Sequence, residues 1–235
     1  FFKTDCPSCG APVEAYSATA VTLVCGHCHS MLVVRKGKKK SGSIVSYTER
    51  DSALLEDFSP LQIGTRGVFV HRNFTLIGRL QVHYDVGVWN EWYALFDDGL
   101  TGWLSEVGDL YAMTCEASGK AKGLPTTFES VRLGQSSFEL DGKTFVVSDA
   151  RTIHYCNTDA QGELPFNLTA KKATGKVCDF RCGKLFLTID FTVSPLTIYL
   201  GRVVSLNSLK LENLRSDDEI QASACLLYTS PSPRD

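Results

Sequence analysis

Four cysteines near the N-terminus are the residues whose type and spacing most directly indicate chemistry. Cys6, Cys9, Cys25 and Cys28 form two Cys-x2-Cys pairs with fifteen residues between them. Two such pairs place four thiolates at the corners of a tetrahedron, which is the geometry that a structural zinc ion prefers. Apolar segments on both sides of the second pair indicate strands. The sequence therefore predicts a zinc ribbon over residues 1–34, with Zn²⁺ as a structural cofactor.

Two other uses of these residues stay open. Cys25-Gly26-His27-Cys28 also has the spacing of a thiol–disulfide exchange site, which needs its first cysteine at the start of a helix. The β-rich segment that follows, Met31–Val34, argues against such a helix. His27 or His29 could also replace one of the cysteines as a zinc ligand.

A second group of cysteines lies far along the chain. His154 and Cys156 would share one face of a strand, and Cys178 and Cys182 form a looser Cys-x3-Cys pair. These residues are candidates for a second metal site. Buried free thiols are the alternative, because cysteine is among the residues most often found in protein cores.

An aromatic cluster in the middle of the chain is the candidate binding site. It contains Trp89, Glu91, Trp92, Tyr93 and Trp103. Side chains alternate between the two faces of a strand, so Trp89 and Glu91 should share one face and Trp92 should lie on the other, with at least one tryptophan exposed. Such a surface would suit a protein partner, a base or a cationic group. The alternative is that these aromatics fill the core of a small β-domain.

Motifs for catalysis are lacking. The sequence has no Gly-x-Ser-x-Gly elbow, phosphate loop, dinucleotide-binding fingerprint or His-Glu-x-x-His motif. His83 and His154 recur at matching positions beside tyrosines, which is more typical of structural histidines. We therefore expect a protein that is not an enzyme, with an unrecognised active site near the tryptophans as an alternative.

Charge and cysteine content bear on compartment and partners. The first 47 residues hold six basic and two acidic side chains, and the rest holds eighteen and twenty-four. The basic excess is concentrated in Arg35–Lys40, which could contact nucleic acid or an anionic membrane surface, or could be a solvated linker. No apolar segment approaches the roughly 20 residues of a transmembrane helix. Nine cysteines, four of them in metal spacing, favour a cytoplasmic location.

An internal repeat organises the rest of the chain. Leu61–Gly64 aligns with Val131–Gly134, Phe74 with Phe145, and His83-Tyr84 with His154-Tyr155. Short β-branched and aromatic runs separated by Gly and Asp predict strands in both copies. The expected fold is mainly β: an N-terminal zinc ribbon followed by two tandem small β-barrel or sandwich domains.

Domain boundaries follow from this pattern. The final eleven residues, 225–235, resemble translated sequencing adapter, so the natural sequence is expected to end near Ala224. The predicted segments are a zinc ribbon (1–34), a basic and polar linker with a short helix within Asp51–Phe58 (35–59), a first β-domain (60–116), a linker (117–130), a second β-domain (131–203), a truncated tail (204–224) and the adapter-derived end (225–235).

Several of these motifs together resemble a known family. Leu61-Gln62-Ile63-Gly64, the stretch Trp89–Tyr93, and Asp97-Asp98-Gly99 followed by Gly102-Trp103-Leu104 are similar to the bacterial domain of unknown function 4178, in two copies behind a zinc ribbon. The second copy lacks the Trp-x-x-Trp and Gly-Trp-Leu elements, so a site built on them need not occur twice. The resemblance implies a bacterial, cytoplasmic protein with a suggested link to envelope stress, and it implies no activity.

The function expected from the sequence is therefore that of a cytoplasmic zinc-binding adaptor. Its β-domains would present surfaces to a protein partner. Association with nucleic acid through the ribbon and the basic run is the alternative from a different class, and it would weaken steeply with salt.

Overall fold

Strands dominate the architecture. The computed structural model describes residues 1–36, 43–51, 54, 57–119, 121–168, 174–192 and 194–222. Residues 217–222 form a short α-helix, and no described helix has the length and apolar character to span a bilayer. The strands are β1 (Phe2–Asp5), β2 (Pro12–Ala15), β3 (Thr22–Val24), β4 (Ser30–Lys36), β5 (Ser43–Asp51), β6 (Arg66–Phe69), β7 (Arg72–Tyr84), β8 (Gly87–Phe96), β9 (Thr101–Val107), β10 (Leu110–Glu116), β11 (Ala121–Lys122), β12 (Ser137–Leu140), β13 (Lys143–Leu164), β14 (Thr174–Cys182), β15 (Leu185–Asp190) and β16 (Thr197–Val204).

The N-terminal cysteines lie in a small module of short strands, which we call the four-cysteine module (residues 1–36). Strands β1 and β2 form a hairpin, while β3 and β4 form a second one that β5 extends. Leu23 and Leu32 pack with Cys6 and Cys25 in its core. Strand β3 also pairs with the end of β13, so the module is joined to the large sheet.

Eight antiparallel strands close into a ring. The order around it is β7, β8, β9, β10, β16, β15, β14 and β13, and β13 pairs again with β7. Glycine permits the close approach at both closures: a Cβ on Gly78 would lie 1.8 Å from the carbonyl oxygen of Glu163, and a Cβ on Gly201 would lie 1.7 Å from that of Met113. The closed sheet leaves no free edge within the ring.

The sequence repeat corresponds to the two halves of this ring. β7–β10 form the first half and β13–β16 the second. In each half the first strand of the ring follows a two-residue hairpin turn with positive φ at both central positions. The turns are Val70-His71, between β6 and β7, and Asp141-Gly142, between β12 and β13. Each then has a β-bulge at the matching place, after Leu76 and after Val147. The matched residues His83 and His154 lie directly opposite each other where β7 pairs with β13.

The prediction of two tandem domains is therefore wrong. The β7–β13 and β10–β16 ladders join the repeats into one sheet, so neither half is a separate barrel or sandwich. The physical reason is that each half alone would leave two unpaired strand edges. Periodicity within a repeat gives no information on whether its edges pair with themselves or with the other copy.

Each half buries its outer face under a separate hydrophobic cluster. The first-half cluster includes Phe74, Trp92 and Phe96, and Leu61 and Leu209 cover it from the flanking segments. The second-half cluster surrounds Phe145, Phe180 and Leu187, with Val131 and Phe138 above them. Both outer faces are thus covered. The outer face of the first half also buries polar side chains, because Arg79 and Glu106 both form hydrogen bonds with Asn90 there. The inner face of the ring is the other surface of every strand.

Two predicted connecting segments have more structure than expected. The linker predicted over 35–59 contains strand β5, which continues the four-cysteine module. The helix predicted within Asp51–Phe58 falls partly outside the described residues. Most of the Arg35–Lys40 run and all of residues 225–235 also lie outside them. The predicted tail forms a 3₁₀ helix at Leu206–Leu209 and a β-bridge from Glu212 to Arg66, so it packs against the ring.

Candidate metal centre and interior cavity

The cysteines of the four-cysteine module converge on one point. The Sγ atoms of Cys6 and Cys28 are 3.7 Å apart and those of Cys9 and Cys25 are 3.8 Å apart. All four ligand atoms lie within 4.8 Å of one another. A tetrahedron of sulfurs at about 2.3 Å from a zinc ion has edges of about 3.8 Å. The cluster therefore has the donor set and the size to hold a metal ion.

Backbone turns hold each cysteine pair in place. The amide of Gly10 donates to the carbonyl of Cys6 at 2.8 Å, and the amide of His29 donates to that of Cys25 at 2.9 Å. Gly10 and His29 both take positive φ, which these tight knuckles require. The Oγ of Ser30 lies 3.2 Å from the Sγ of Cys28, where a hydroxyl can donate to a thiolate.

Other candidate metal ligands do not join a cluster in the described part of the chain. His27 and His29 lie outside the group of four. His154 is exposed, whereas Cys178 is buried in the outer cluster of the second half. The side chain of Cys156 is outside the described residues, so the second metal site predicted from these cysteines stays a prediction without a described ligand set.

The four-cysteine module is tied to the ring by a buried acid and by hydroxyl groups. Glu163 of β13 accepts hydrogen bonds from the amides of Tyr16, at 2.7 Å, and Ser17, at 3.3 Å. The hydroxyls of Thr19 and Tyr93 are 2.9 Å apart. Thr22 donates to the carbonyl of Phe166 at 2.7 Å. These contacts hold the loop after β2 and the segment after β13 against one end of the ring.

The ring encloses a cavity of about 920 Å³. All eight strands contribute to its wall, and the contributing residues follow the period-2 alternation of inward-facing side chains. Closed sheets of eight strands either pack their interior with side chains or hold one small ligand, and this volume matches the second case. The inward-facing residues of the wall include Leu80, Val82, Trp89, Glu91, Tyr93, Trp103, Ser105, Ala112, Arg151, Ile153, Val177, Asp179, Arg181, Phe186, Thr188 and Tyr199.

The first half of the ring contributes an aromatic wall. Trp89 packs against Tyr84 with ring centroids 5.2 Å apart. Tyr93 packs against Trp103 at 4.8 Å, and Trp103 stacks on Phe166 at 6.2 Å. This wall offers a flat apolar seat, and Phe166 of the closing segment continues it.

Glu91 is the acidic residue of the aromatic wall. Its carboxylate accepts hydrogen bonds from Trp89 Nε1 and from Ser105 Oγ, each at 2.7 Å. Enclosure by the protein raises the pKa of Glu91 to about 7, although both hydrogen bonds favour the ionised form. The negative charge of Asp179 acts in the same direction as the enclosure. Glu91 therefore exchanges its proton near neutral pH.

The second half of the ring contributes a charged wall. Arg151 forms an ion pair with Asp149 at 2.5 Å and lies over the Tyr84 ring at 4.6 Å. Asp179 accepts a hydrogen bond from Thr188 at 2.8 Å, and burial raises its pKa to about 6. Arg181 lies over a phenylalanine ring of the same half. The cavity is therefore amphipathic: the tryptophans lie in the first half of its wall, and the two arginines lie with Asp149 and Asp179 in the second.

Trp92 lies on the opposite face of β8 from Trp89 and Glu91, as the alternation predicts. It is fully buried in the outer cluster, and its Nε1 donates to Glu106 at 2.9 Å. Trp89 is 8% exposed and Trp103 is half-buried, so the expectation that at least one tryptophan is exposed is wrong. The reason is that both faces of β8 are covered, one by the ring interior and the other by the flanking segments.

The candidate binding residues therefore separate into two groups. Trp89, Glu91, Tyr93 and Trp103 meet in the cavity, and Trp92 does not.

Six charged residues of the cavity wall were missed by sequence reasoning: Glu116, Asp149, Arg151, Asp179, Arg181 and Asp190. Arg151 and Asp179 lie on strands where charged residues alternate with apolar ones, a pattern typical of a solvent-facing surface. The available signal was the alignment of the repeats, which places Arg151 at the position of the inward-facing Leu80.

The fold and its two features define a class of protein: a closed antiparallel sheet around an interior cavity, with a four-cysteine module attached at one end. A family model with the description "Domain of unknown function (DUF4178)" matches residues 62–206, which cover one complete ring. The chain belongs to this family, with one copy of the domain rather than two. No curated protein and no solved structure shows significant similarity to the chain.

Proposed function

We propose that this protein binds a small amphiphilic molecule inside the ring. The observation that supports the proposal best is the amphipathic wall around a cavity of about 920 Å³, since a volume of this size suits a ligand of tens of atoms. The aromatic wall of the first half would seat the apolar body of the ligand. The charged wall of the second half and Glu91 would orient its polar group. The protein acts in this proposal as a binding module and not as an enzyme.

A structural zinc ion in the four-cysteine module completes the proposal. The sulfur spacings fit a tetrahedral ion, and four protein thiolates leave no open coordination position for chemistry. The module holds Thr19 against Tyr93 and Thr22 against the carbonyl of Phe166, and Thr19 and Phe166 both line the cavity. The ion would thus stabilise one end of the ligand site.

The adaptor function expected from the sequence stays a prediction, as does a cytoplasmic location. Its support from the sequence was the modular organisation, the basic linker and the tryptophan cluster without a catalytic set, and the tryptophans face the cavity or the outer cluster. The nucleic-acid alternative rests on the Arg35–Lys40 run, most of which lies outside the described residues. The cavity is therefore the better-supported starting point for function.

A fluorescence titration tests the cavity directly. The probe is N-phenyl-1-naphthylamine, an uncharged dye that becomes strongly fluorescent in apolar surroundings, added to the purified full chain. We expect saturable binding of one dye per chain, with a dissociation constant in the micromolar range.

A pair of matched variants provides the control. Ala112→Phe adds a ring to an inward-facing position, and Thr126→Phe adds the same ring to an exposed loop. Ala112→Phe should weaken dye binding about tenfold or more by occupying cavity volume, while Thr126→Phe should leave it unchanged. Equal binding by both variants, with circular dichroism showing both folded, would rule out the interior as the site.

A further inference from the structure

We propose that the ligand of the cavity is an organic cation, with a protonated amine paired to Glu91 and an apolar body lying on the aromatic wall. This inference rests on the proposed function, because it names the chemistry of the molecule that the cavity binds. Three observations support it: the excess of acidic residues in the cavity wall, the neutral hydrogen-bond donors of Glu91, and the aromatic rings around Glu91.

The wall of the cavity has an excess of negative charge. Its arginines are already engaged: Arg151 pairs with Asp149, and Arg181 lies over Phe186 and close enough to Asp179 to lower the pKa of that carboxyl. No lysine or histidine among the described residues lines the cavity. The acidic residues of the wall are Glu91, Glu116, Asp149, Asp179 and Asp190.

Glu91 is an enclosed acid without a cationic partner. Among the described residues it forms no ion pair, and its hydrogen bonds come from two neutral donors, Trp89 Nε1 and Ser105 Oγ. A carboxylate enclosed by protein without a countercharge is unfavourable, and a group of this kind that faces a cavity is a candidate functional residue. A ligand ammonium would supply the missing charge, and an anionic ligand would meet repulsion.

The surroundings of Glu91 suit the rest of such a ligand. The Trp89 ring lies beside the carboxylate, and Tyr93 and Trp103 follow on the same inner face. Aromatic faces attract cations and also bury alkyl groups, so one surface can hold both the ammonium and the body attached to it. A carboxylate flanked by tryptophan and tyrosine therefore has the chemistry to recognise a substituted ammonium group.

A series of three ligands that differ only in their polar group tests the charge preference. Dodecylamine, dodecanol and dodecanoate would each displace N-phenyl-1-naphthylamine from the full chain at pH 7.5 and concentrations below their micelle range. We expect the amine to bind at least tenfold more tightly than the alcohol, and the carboxylate more weakly than either. An alcohol that binds as tightly as the amine, or a carboxylate that binds best, would overturn the proposal.

Matched variants locate the charge. Glu91→Gln should weaken amine binding about tenfold and leave alcohol binding unchanged, because the amide keeps the shape and loses the charge. Glu129→Gln removes one negative charge from an exposed position paired with Lys176, and it should change neither affinity. Asp179→Asn should weaken amine binding by a smaller factor. Equal loss for amine and alcohol in Glu91→Gln would show that Glu91 only shapes the cavity.

Proton release provides a readout that does not depend on variants. Trp89 and Ser105 donate hydrogen bonds to Glu91 from its own side of the cavity. Across the cavity, the negative charge of Asp179 raises the pKa of Glu91, and the negative charge of Glu91 raises the pKa of Tyr199. Because Glu91 is partly protonated at pH 7, an entering ammonium should displace its proton. Amine affinity should therefore rise between pH 6 and pH 8, and calorimetry in buffers of different ionisation enthalpy should detect the released proton.

The outcomes separate the two proposals. If the dye does not enter the cavity, the proposed function fails and the cation proposal fails with it. If the dye enters but the three ligands compete equally, the cavity is a ligand site and only the cation proposal is overturned. Amine selectivity in the wild-type chain decides the question even if Glu91→Gln does not fold.

Discussion

The two halves of the ring have the same backbone plan and different inner walls. Both enter through a two-residue turn, bulge at the matching residue and bury an aromatic outer cluster. At equivalent inward-facing positions, however, the first half has Leu80 where the second has Arg151, and Tyr93 where the second has Asp179. The outer face thus preserves the fold, while the inner face has diverged in polarity.

This difference shows which face of the repeat carries information about function. Phe74 and Phe145 occupy the same place in the two outer clusters, so both halves have the same packing requirement at this position. An inner face needed only for packing would also be apolar in both halves. The charged wall of the second half would destabilise an empty apolar core, so it is better explained by a ligand.

The sharpest difference between the halves is that, among the described strands, the second half alone is attached to the four-cysteine module by a strand ladder, through β3 and β13. Removing the proposed zinc ion with a chelator, or replacing Cys25 with serine, should unfold the module, since structural zinc contributes on the order of 10 kcal/mol in small domains. Hydrogen exchange should accelerate over residues 2–34 and 160–168 and stay slow in β8–β10. Uniform acceleration around the ring would contradict a local role.

The equivalence of the outer clusters can be tested with one substitution in each half. Phe74→Ala and Phe145→Ala each empty a fully buried site, and each should lower the free energy of unfolding by about 3–5 kcal/mol. Because the halves share one sheet, urea unfolding of both variants should follow a single transition by tryptophan fluorescence and by circular dichroism. Two separate transitions would mean that the halves unfold independently.

The closure between the halves is the next point to perturb. Gly201→Ala places a methyl group against the backbone where β16 meets β10, and it should destabilise the protein by about 2–3 kcal/mol. Gly183→Ala is the control, because Gly183 has open space around it and lies in a hairpin turn within the second half. Because Gly183 has a positive φ, Gly183→Ala should lower the free energy of unfolding by only about 1 kcal/mol. Thermal unfolding of both variants would measure the difference.

The two acids of the inner walls predict overlapping parts of one pH profile. Their folded-state pKa values are raised, to about 7 for Glu91 and about 6 for Asp179, so the folded state holds both protons more tightly than the unfolded chain. Their contribution to stability is complete below about pH 4 and is lost as pH rises through 6 and 7.

Variants should divide this profile between the halves. Glu91→Gln should remove the fall in stability between about pH 5 and 8, and Asp179→Asn the fall between about pH 4 and 7, each on the order of 3 kcal/mol. Denaturant midpoints measured across this range would check it. A wild-type midpoint that does not change with pH would show that neither carboxyl is enclosed in solution.

The sequence predicted the local features of the molecule and missed its closure. The cysteine cluster, the strands flanking Gly99 and the repeat follow from spacing, turn residues and alternation, which act over a few residues. The ring depends on pairing between strands more than 60 residues apart, such as His83 with His154. No local pattern encodes that pairing, because either edge of a half could have paired elsewhere.

The candidate site was predicted in part for the same reason. Glu91 was found because tryptophans surround it in the sequence. Arg151 and Asp179 belong to strands whose alternation of apolar and charged residues is normal for one buried and one wet face. Only the curvature of the closed sheet turns that charged face inward.

The pairing of His83 with His154 also bears on how such a ring could arise. The matched residues His83 and His154 lie opposite each other, as expected where an approximate two-fold axis that relates the halves passes through this ladder. A polypeptide of one half would expose the edges of β7 and β10, and a second copy of it could satisfy both. The ring of this single chain therefore has the arrangement that a homodimer of half-rings would have, and a continuous chain permits one wall to change independently of the other.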